Sequence, residues 1–239
     1  MKFSLLTYNL LLNRATGELK EIISAHKPDL LCFQEINTDL SNLREIENHG
    51  YRLADFSNSF MRQGRVFGVA TFYNPRVFSL SQTFSFDLPN SLYQIIMFIL
   101  HNKKNPRTVL KTEFVAKKNG KKVTTYNIHL TPFATNSFRI KQIKNTLQDL
   151  HLARKSPVVI AGDFNFPYGR KKFEEIIRVY DLKEATNNVM FTLERKVLKF
   201  FSIKLKLDYI LYKNMSAHKN EVIHVKHSDH FPILTKFEL

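Results

Sequence analysis

The stretch Pro157-Val158-Val159-Ile160-Ala161-Gly162-Asp163-Phe164-Asn165 sets the pattern on which the chain is built. Pro157 opens a short apolar run rich in β-branched residues, the mark of a buried strand, and Gly162 ends it. Two polar residues of catalytic type, Asp163 and Asn165, follow at once. Such groups collect at one edge of a sheet, where a rigid scaffold can hold them together. Working outward, the arrangement recurs. An apolar run over residues 2–8 ends at Asn9, and another over 29–35 ends in Gln34 and Glu35. Residues 123–128 lead through Asn127 to His129, Asp208 lies in a run over 207–212, and Asp229-His230 stand just before 233–237. Taken singly, an Asp after a Gly is a turn former and a Ser-Asp pair is a cap. Six sites of one kind make a pattern.

Helical periodicity covers 18–26, with Leu19, Ile22 and Ile23 on one face and Pro28 as the stop. It returns over 40–48 and 171–179. It is clearest over 137–152, where Ile140, Ile143, Leu147 and Leu150 share a stripe. Further strands are expected over 68–73, 92–100 and 222–225, and 109–115 pairs with 123–128 around Lys118-Asn119-Gly120. Strands outnumber helices, and helices separate only some of them. That mixture predicts an α/β fold, a four-layer α/β/β/α sandwich of two stacked mixed sheets, in one domain over residues 1–239.

Composition bounds the function. With 44% hydrophobic residues and 21 Phe, the 239-residue chain can build a core without staples. A 24% charged fraction argues against disorder. The charge is lopsided. Residues 1–100 hold 9 Lys+Arg and 9 Asp+Glu, so the whole excess of +15 lies in residues 101–239. A one-sided positive field attracts nucleic acid or an anionic membrane surface. Cys32 is the single cysteine, which excludes an intrachain disulfide, and its apolar neighbours mark a core position and not a nucleophile. Thr7, Tyr8 and Asn9 interrupt the first apolar run and no small-residue cleavage pattern follows, so it reads as a strand and not a secretion signal. No run reaches the roughly 20 apolar residues of a membrane span. A cytoplasmic monomer is the expectation.

Thr7-Tyr8-Asn9, Gln34-Glu35, Asn127-Ile128-His129-Leu130, Gly162-Asp163-Phe164-Asn165, Leu207-Asp208-Tyr209-Ile210 and Ser228-Asp229-His230 occur in a definite order and spacing. Together they resemble the endonuclease/exonuclease/phosphatase, or DNase I-like, superfamily, over residues 7–230. The resemblance implies hydrolysis of a phosphoester bond. That reaction needs neutralised phosphate charge, an activated water and help for the leaving oxygen, and a hard cation takes oxygen ligands. By resemblance the cation is Mg²⁺ or Mn²⁺, held mainly by Glu35 with Asn9 and Asp229. Asp208 then orients His230, Asp163 positions and deprotonates the water, Asn165 contacts the water or a phosphate oxygen, and His129 meets the phosphate. Whether Asp163 or His230 is the base stays open. No Cys/His cluster argues for structural zinc, and His227 reads as structural or exposed.

Two departures matter. Lys206 stands where the family carries Arg before Leu-Asp-Tyr, which keeps charge and loses the fork. The middle motif is Asn-x-His-Leu and not the Asn-x-Tyr of abasic-site endonucleases. This favours branches resembling DNase I, tyrosyl-DNA phosphodiesterase, deadenylases and sphingomyelinases, as do Arg139 and Gln142.

Two substrate classes follow. The first is nucleic acid, cleaved in the manner of a nuclease or a 5′-tyrosyl-DNA phosphodiesterase. Its motivation is one cluster of Lys103, Lys104, Arg107, Lys111, Lys117, Lys118, Lys121 and Lys122, and a second of Arg195, Lys196, Lys199, Lys204 and Lys206 interleaved with Phe200 and Phe201. Cations and aromatics track a phosphate backbone and stack bases. The alternative is a phospholipid headgroup, as in sphingomyelinases, since Val197-Leu198-Lys199-Phe200-Phe201-Ser202-Ile203 is apolar, basic-flanked and fit for a membrane surface. The full catalytic set disfavours a non-catalytic binding protein. Residues 74–93 and 189–206 are the expected substrate-selecting loops.

Overall fold

Alternation along the strands decides the layers. In β1 (Lys2–Asn9) and β2 (Leu30–Asn37), Leu5, Leu30 and Cys32 face one way while Leu6, Leu31 and Phe33 face the other. Both faces are buried, so the sheet must be covered on both sides. A computed structural model, describing residues 1–90, 96, 107–132, 134–151, 156–198 and 201–239, shows how. One six-stranded sheet has the order β13 (Ser216–Val222), β14 (Ile233–Glu238), β1, β2, β4 (Arg65–Tyr73), β3 (Arg52–Arg62). The other runs β5 (Phe78–Asp87), β6 (Thr108–Ala116), β7 (Lys122–His129), β8 (Val158–Asp163), β12 (Asp208–Lys213), β9 (Lys183–Glu184). Each contains one parallel pair, β1/β2 and β7/β8, among antiparallel neighbours. Helices α1 (Thr16–His26) and α2 (Leu40–Glu47) cover the first sheet, and α3 (Asn136–Thr146) and α4 (Arg170–Val179) cover the second. This is the α/β/β/α sandwich expected from the sequence.

Three apolar layers result. Leu19, Ile22, Leu43 and Ile46 pack on Tyr8 and Phe33 outside the first sheet. Ile143, Phe173 and Ile176 pack on Tyr126, Ile160 and Tyr209 outside the second. Between the sheets lie Phe3, Leu5, Phe78, Phe114, Val159, Ile210 and Phe237. Phe3 meets Phe78 edge-on at 5.5 Å and stacks on Phe237 at 5.3 Å.

Several elements differ from expectation. The helix expected over 137–152 stops at Thr146 and continues as a 3-10 turn, Gln148–His151, where Thr146 turns its hydroxyl back onto the Gln142 carbonyl at 3.0 Å. The strand expected over 222–225 is instead β13, which ends at Val222. Strand β8 runs through Gly162 to Asp163 and does not end at the glycine. The loop expected over 74–93 contains β5, and that over 189–206 contains a separate hairpin, β10 (Leu193–Leu198) with β11 (Phe201–Leu205). Apart from residue 96, the strand expected over 92–100 lies outside the described residues. Among the described residues no helix is long and apolar enough to cross a membrane.

Candidate active site

The C-terminal ends of β1, β2, β7 and β8 meet the starts of β12 and β14 at one end of the sandwich. There Asn9 donates from Nδ2 to Asp163 Oδ2 at 3.0 Å across the two sheets. His129 and Asp163 are partners in the parallel pair, with His129 Nε2 3.6 Å from Asp163 Oδ2 and 3.8 Å from Glu35 Oε1. His230 Nε2 lies 3.9 Å from the same Asp163 oxygen, and its Nδ1 is 2.8 Å from Asp208 Oδ2. Five of the sequence-predicted residues therefore converge on or beside one buried carboxylate.

Local backbone explains the placement. Glu35 occupies a bulge of β2 against β4, with φ +53°, so its side chain leaves the strand's alternation and turns to the edge. Leu11, Leu12 and Asn13 are also left-handed, wrapping the loop so that Leu12 N–H reaches Glu35 Oε2 at 3.1 Å. Non-glycine residues held left-handed are strained, and such strain clusters at functional sites. Gly162 is needed for close approach: a Cβ there would sit 2.0 Å from the Ile128 carbonyl oxygen, and its φ is +142°.

Asp229 and Asn165 are placed less simply. Asp229 Oδ2 pairs with Arg195 of the hairpin at 2.6 Å, while its buried Oδ1 has no hydrogen-bond partner among the described residues. Asn165 gives its side-chain amide to the Leu130 carbonyl at 3.0 Å, and its backbone N–H to Asp163 Oδ1 at 2.8 Å. It therefore fixes Asp163 as well as bordering the site.

Burial and charge set the protonation states. Burial raises Asp163 to about 7, with His230 pulling it down and Asp208 pushing it up. Burial alone lowers His230, but the Asp208 and Asp163 carboxylates outweigh it and hold the ring at about 10. His129 is driven well below the ordinary histidine value by burial, then by Arg107 and His230.

Some motif residues are structural. Gln34 and Asn127 are fully buried and bonded to each other across the sheets at 2.8 Å, behind the site. Arg139 and Gln142 clasp the segment after β7, through the Thr131 carbonyl at 3.0 Å and the Thr131 hydroxyl at 2.9 Å. Lys206 pairs with Glu184 at 2.8 Å and does not touch Asp208. His227 is exposed beside Glu18, as expected. Thr192 escapes sequence reasoning: its hydroxyl donates to Asp208 Oδ2 at 2.7 Å, and nothing in its local sequence marks it. Arg107 reads in the sequence as a surface charge, whereas it is buried with Nη1 3.2 Å from His129 Nδ1. Lys117, Lys118, Lys121 and Lys122 sit at the β6–β7 turn, the opposite end of β7 from His129. Lys103, Lys104, Lys199 and Phe200 lie outside the described residues.

Residues 6–230 match the Endonuclease/Exonuclease/phosphatase family, whose members are phosphoester hydrolases. The chain belongs to this family. A UPF0294 protein of Vibrio vulnificus is 26% identical over 137 residues, which are 56% of this chain and 45% of that protein. The chain thus spans about half the length of the curated relatives it matches. The human Nocturnin catalytic domain with bound sulfate superposes with a TM-score of 0.75 at 17% identity, over 99% of this chain and 94% of that one. ANGEL2, a 2′,3′-cyclic phosphatase, gives a TM-score of 0.79 at 14% identity, over 99% and 95%. At these identities the likeness establishes the fold.

Proposed function

We propose that this chain is a divalent-metal-dependent phosphodiesterase whose substrate is nucleic acid, cleaved in the manner of a nuclease or 5′-tyrosyl-DNA phosphodiesterase. The observation that carries the reading is the convergence of Asn9, His129 and His230, from both sheets, on the Asp163 carboxylate. Asp163, Asp208 and His230 offer ligand-type atoms within 4.8 Å of one another, but the 2.8 Å Asp208–His230 contact is a hydrogen-bonded pair that a cation between them would break. Glu35, Asn9 and Asp229 fit a hard cation better. All three offer oxygen, and Asp229 Oδ1 is buried without a partner among the described residues. These residues would hold a Mg²⁺ or Mn²⁺ ion, which when bound would neutralise phosphate charge and polarise the P–O bond.

The chain's own groups divide the remaining work. A carboxylate near 7 is matched to taking a proton from water at neutral pH, and Asp163 is that group. His230, fixed through Nδ1 by Asp208 and raised above the ordinary histidine value by the Asp208 and Asp163 carboxylates, presents Nε2–H to an oxyanion. His129, kept neutral, faces the same region from the β7 side.

Nucleic acid is favoured by the positive excess and by exposed Arg62 and Arg65 at the β3–β4 tip, beside the site end of the first sheet. A second reading, a phospholipid headgroup, is favoured by Val197, Phe201 and Ile203. They are exposed on the hairpin that Arg195 ties to Asp229. The test is hydrolysis of plasmid DNA, oligonucleotides, tyrosyl-linked DNA and sphingomyelin vesicles, with Mg²⁺ or with chelator, over a salt series. Cleavage of DNA that stops with chelator and falls with salt is expected. Turnover confined to sphingomyelin, with flotation on liposomes, selects the second reading. No hydrolysis of any of them overturns both.

A further inference from the structure

Arg107 is a buried cation beside His129 whose guanidinium has no carboxylate within 4 Å among the described residues. It lies just before β6, held by its neighbour Thr108, whose hydroxyl bonds Ser59 of β3 at 3.0 Å across the sheets. Its guanidinium covers the Phe60 ring at 4.8 Å, its Nε has no partner among the described residues, and its Nη1 points at His129 Nδ1 from 3.2 Å. The Phe60 ring also meets His129 edge-on at 6.4 Å, so cation, aromatic ring and imidazole form one packed unit.

A guanidinium carries donors and no acceptor, and stays charged in proteins. The contact is therefore a hydrogen bond only if Nδ1 offers its lone pair. A neutral imidazole accepting at Nδ1 carries its hydrogen on Nε2. Nε2 is the atom that faces Asp163 Oδ2 and Glu35 Oε1, at 3.6 and 3.8 Å. The other tautomer would set an N–H against a donor and a bare nitrogen against two carboxylates. We infer that Arg107 is a positioning residue that fixes the Nε2–H tautomer of His129, aiming a hydrogen-bond donor at a phosphoryl oxygen of the substrate. His230 also presents an Nε2–H, by the opposite means: its ring is charged, with hydrogen on both nitrogens, and Asp208 accepts from Nδ1. The two histidines thus both present an Nε2 donor, one backed by a cation and one by an anion. The catalytic consequence rests on the phosphodiesterase reading; the tautomer does not.

The experiment is long-range ¹H–¹⁵N NMR of the ring nitrogens in the full chain, with steady-state hydrolysis of bis-p-nitrophenyl phosphate on the same samples. Wild type is expected to show His129 with hydrogen on Nε2 and a bare Nδ1. In Arg107→Met this pattern is lost to a mixture or to Nδ1–H, and kcat falls about 10–100-fold with KM little changed, as for loss of a group that orients a histidine from behind. Arg107→Lys, which keeps a charged donor, recovers part of both. An Nδ1–H tautomer in wild type overturns the inference whether or not Arg107→Met folds. So does an unchanged tautomer in Arg107→Met with a raised KM, which would make Arg107 a substrate contact. A wild-type Nε2–H pattern in a chain that hydrolyses nothing supports the assignment while defeating the proposed function.

Discussion

The space between the two sheets has two ends made by the same strands, and they are opposites. At one end Phe3, Phe78, Phe114 and Phe237 interlock with Leu5 and Leu30. Farther along the same strands the same face turns polar: β1 passes from Leu5 through Thr7 to Asn9, β2 from Cys32 to Gln34, and β7 through Thr125 and Asn127 to His129. The sheets repeat one plan, a parallel pair bridged by a helix, so each polar end lies against its counterpart. Hence Gln34 bonds Asn127 and Asn9 bonds Asp163. Apolar burial fixes how the sheets stack, and that fixed stacking holds buried polar groups that would otherwise be too costly to keep in place. Stability and chemistry are separated by half a strand length.

The strongest way to break this division is at the polar end. Glu35→Ala and His230→Ala are each expected to lower the hydrolytic rate by about 10³-fold or more, the usual cost of removing one member of a catalytic unit. Glu35→Ala should leave the thermal midpoint nearly unchanged, because the left-handed Glu35 serves the site and not the packing, whereas His230→Ala strands the buried Asp208 carboxylate and should lower the midpoint as well. Near-wild-type turnover in either variant, measured with saturating Mg²⁺, would remove that residue from the mechanism. Phe78→Ala probes the other end. It is expected to cost about 3–5 kcal/mol in urea unfolding, the range for deleting a buried ring, while the folded fraction keeps its kcat. A large loss of kcat at unchanged stability would show that the ends are not independent.

Gly162→Ala tests the join. Its new Cβ would meet the Ile128 backbone oxygen at 2.0 Å, so β7 and β8 must separate where His129 and Asp163 face each other. Loss of about 1–3 kcal/mol is expected, as for overpacking, together with a reduced kcat. A stable, fully active variant would mean the spacing of these strands is not what sets the site.

The division also explains what the amino-acid order discloses. Polar residues closing apolar strands are visible one strand at a time, so Asn9, Glu35, His129, Asp163, Asp208 and His230 are legible from sequence alone, and the buried runs of β1, β2 and β8 point to the layers. The edge strands are hidden for a physical reason. β3 carries two register shifts and β5 one, which break the period of two, and β13 is an exposed polar edge. Asn127 and Gln34 look catalytic because sequence shows that a strand end is polar, not how far along the strand the site begins; both lie on the inter-sheet face, bonded to each other behind that site. Arg107 is concealed because a basic run resembles a solvated surface, and only the stacking against Phe60 shows otherwise.

The smallest expected effect is the most selective, because it separates the ends by pH alone. His129 is held neutral, its folded value well below the ordinary one through burial, then Arg107 and His230. The unfolded chain gains a proton at this residue near its ordinary value of about 6.5 and the folded chain does not. As pH falls below about 6.5, protons therefore favour unfolding, and stability drops by up to about 1.4 kcal/mol per pH unit from this group. His129→Asn removes that dependence. Its urea-derived stability should converge with, or overtake, that of wild type between about pH 7 and pH 5, whereas Phe78→Ala should run parallel to wild type over the same range. Other groups, Asp163 among them, titrate in both members of each pair, so the difference between curves isolates His129. Parallel curves for His129→Asn and wild type would mean the ring takes up its proton when buried, and the neutral imidazole beside Arg107 would have to be given up.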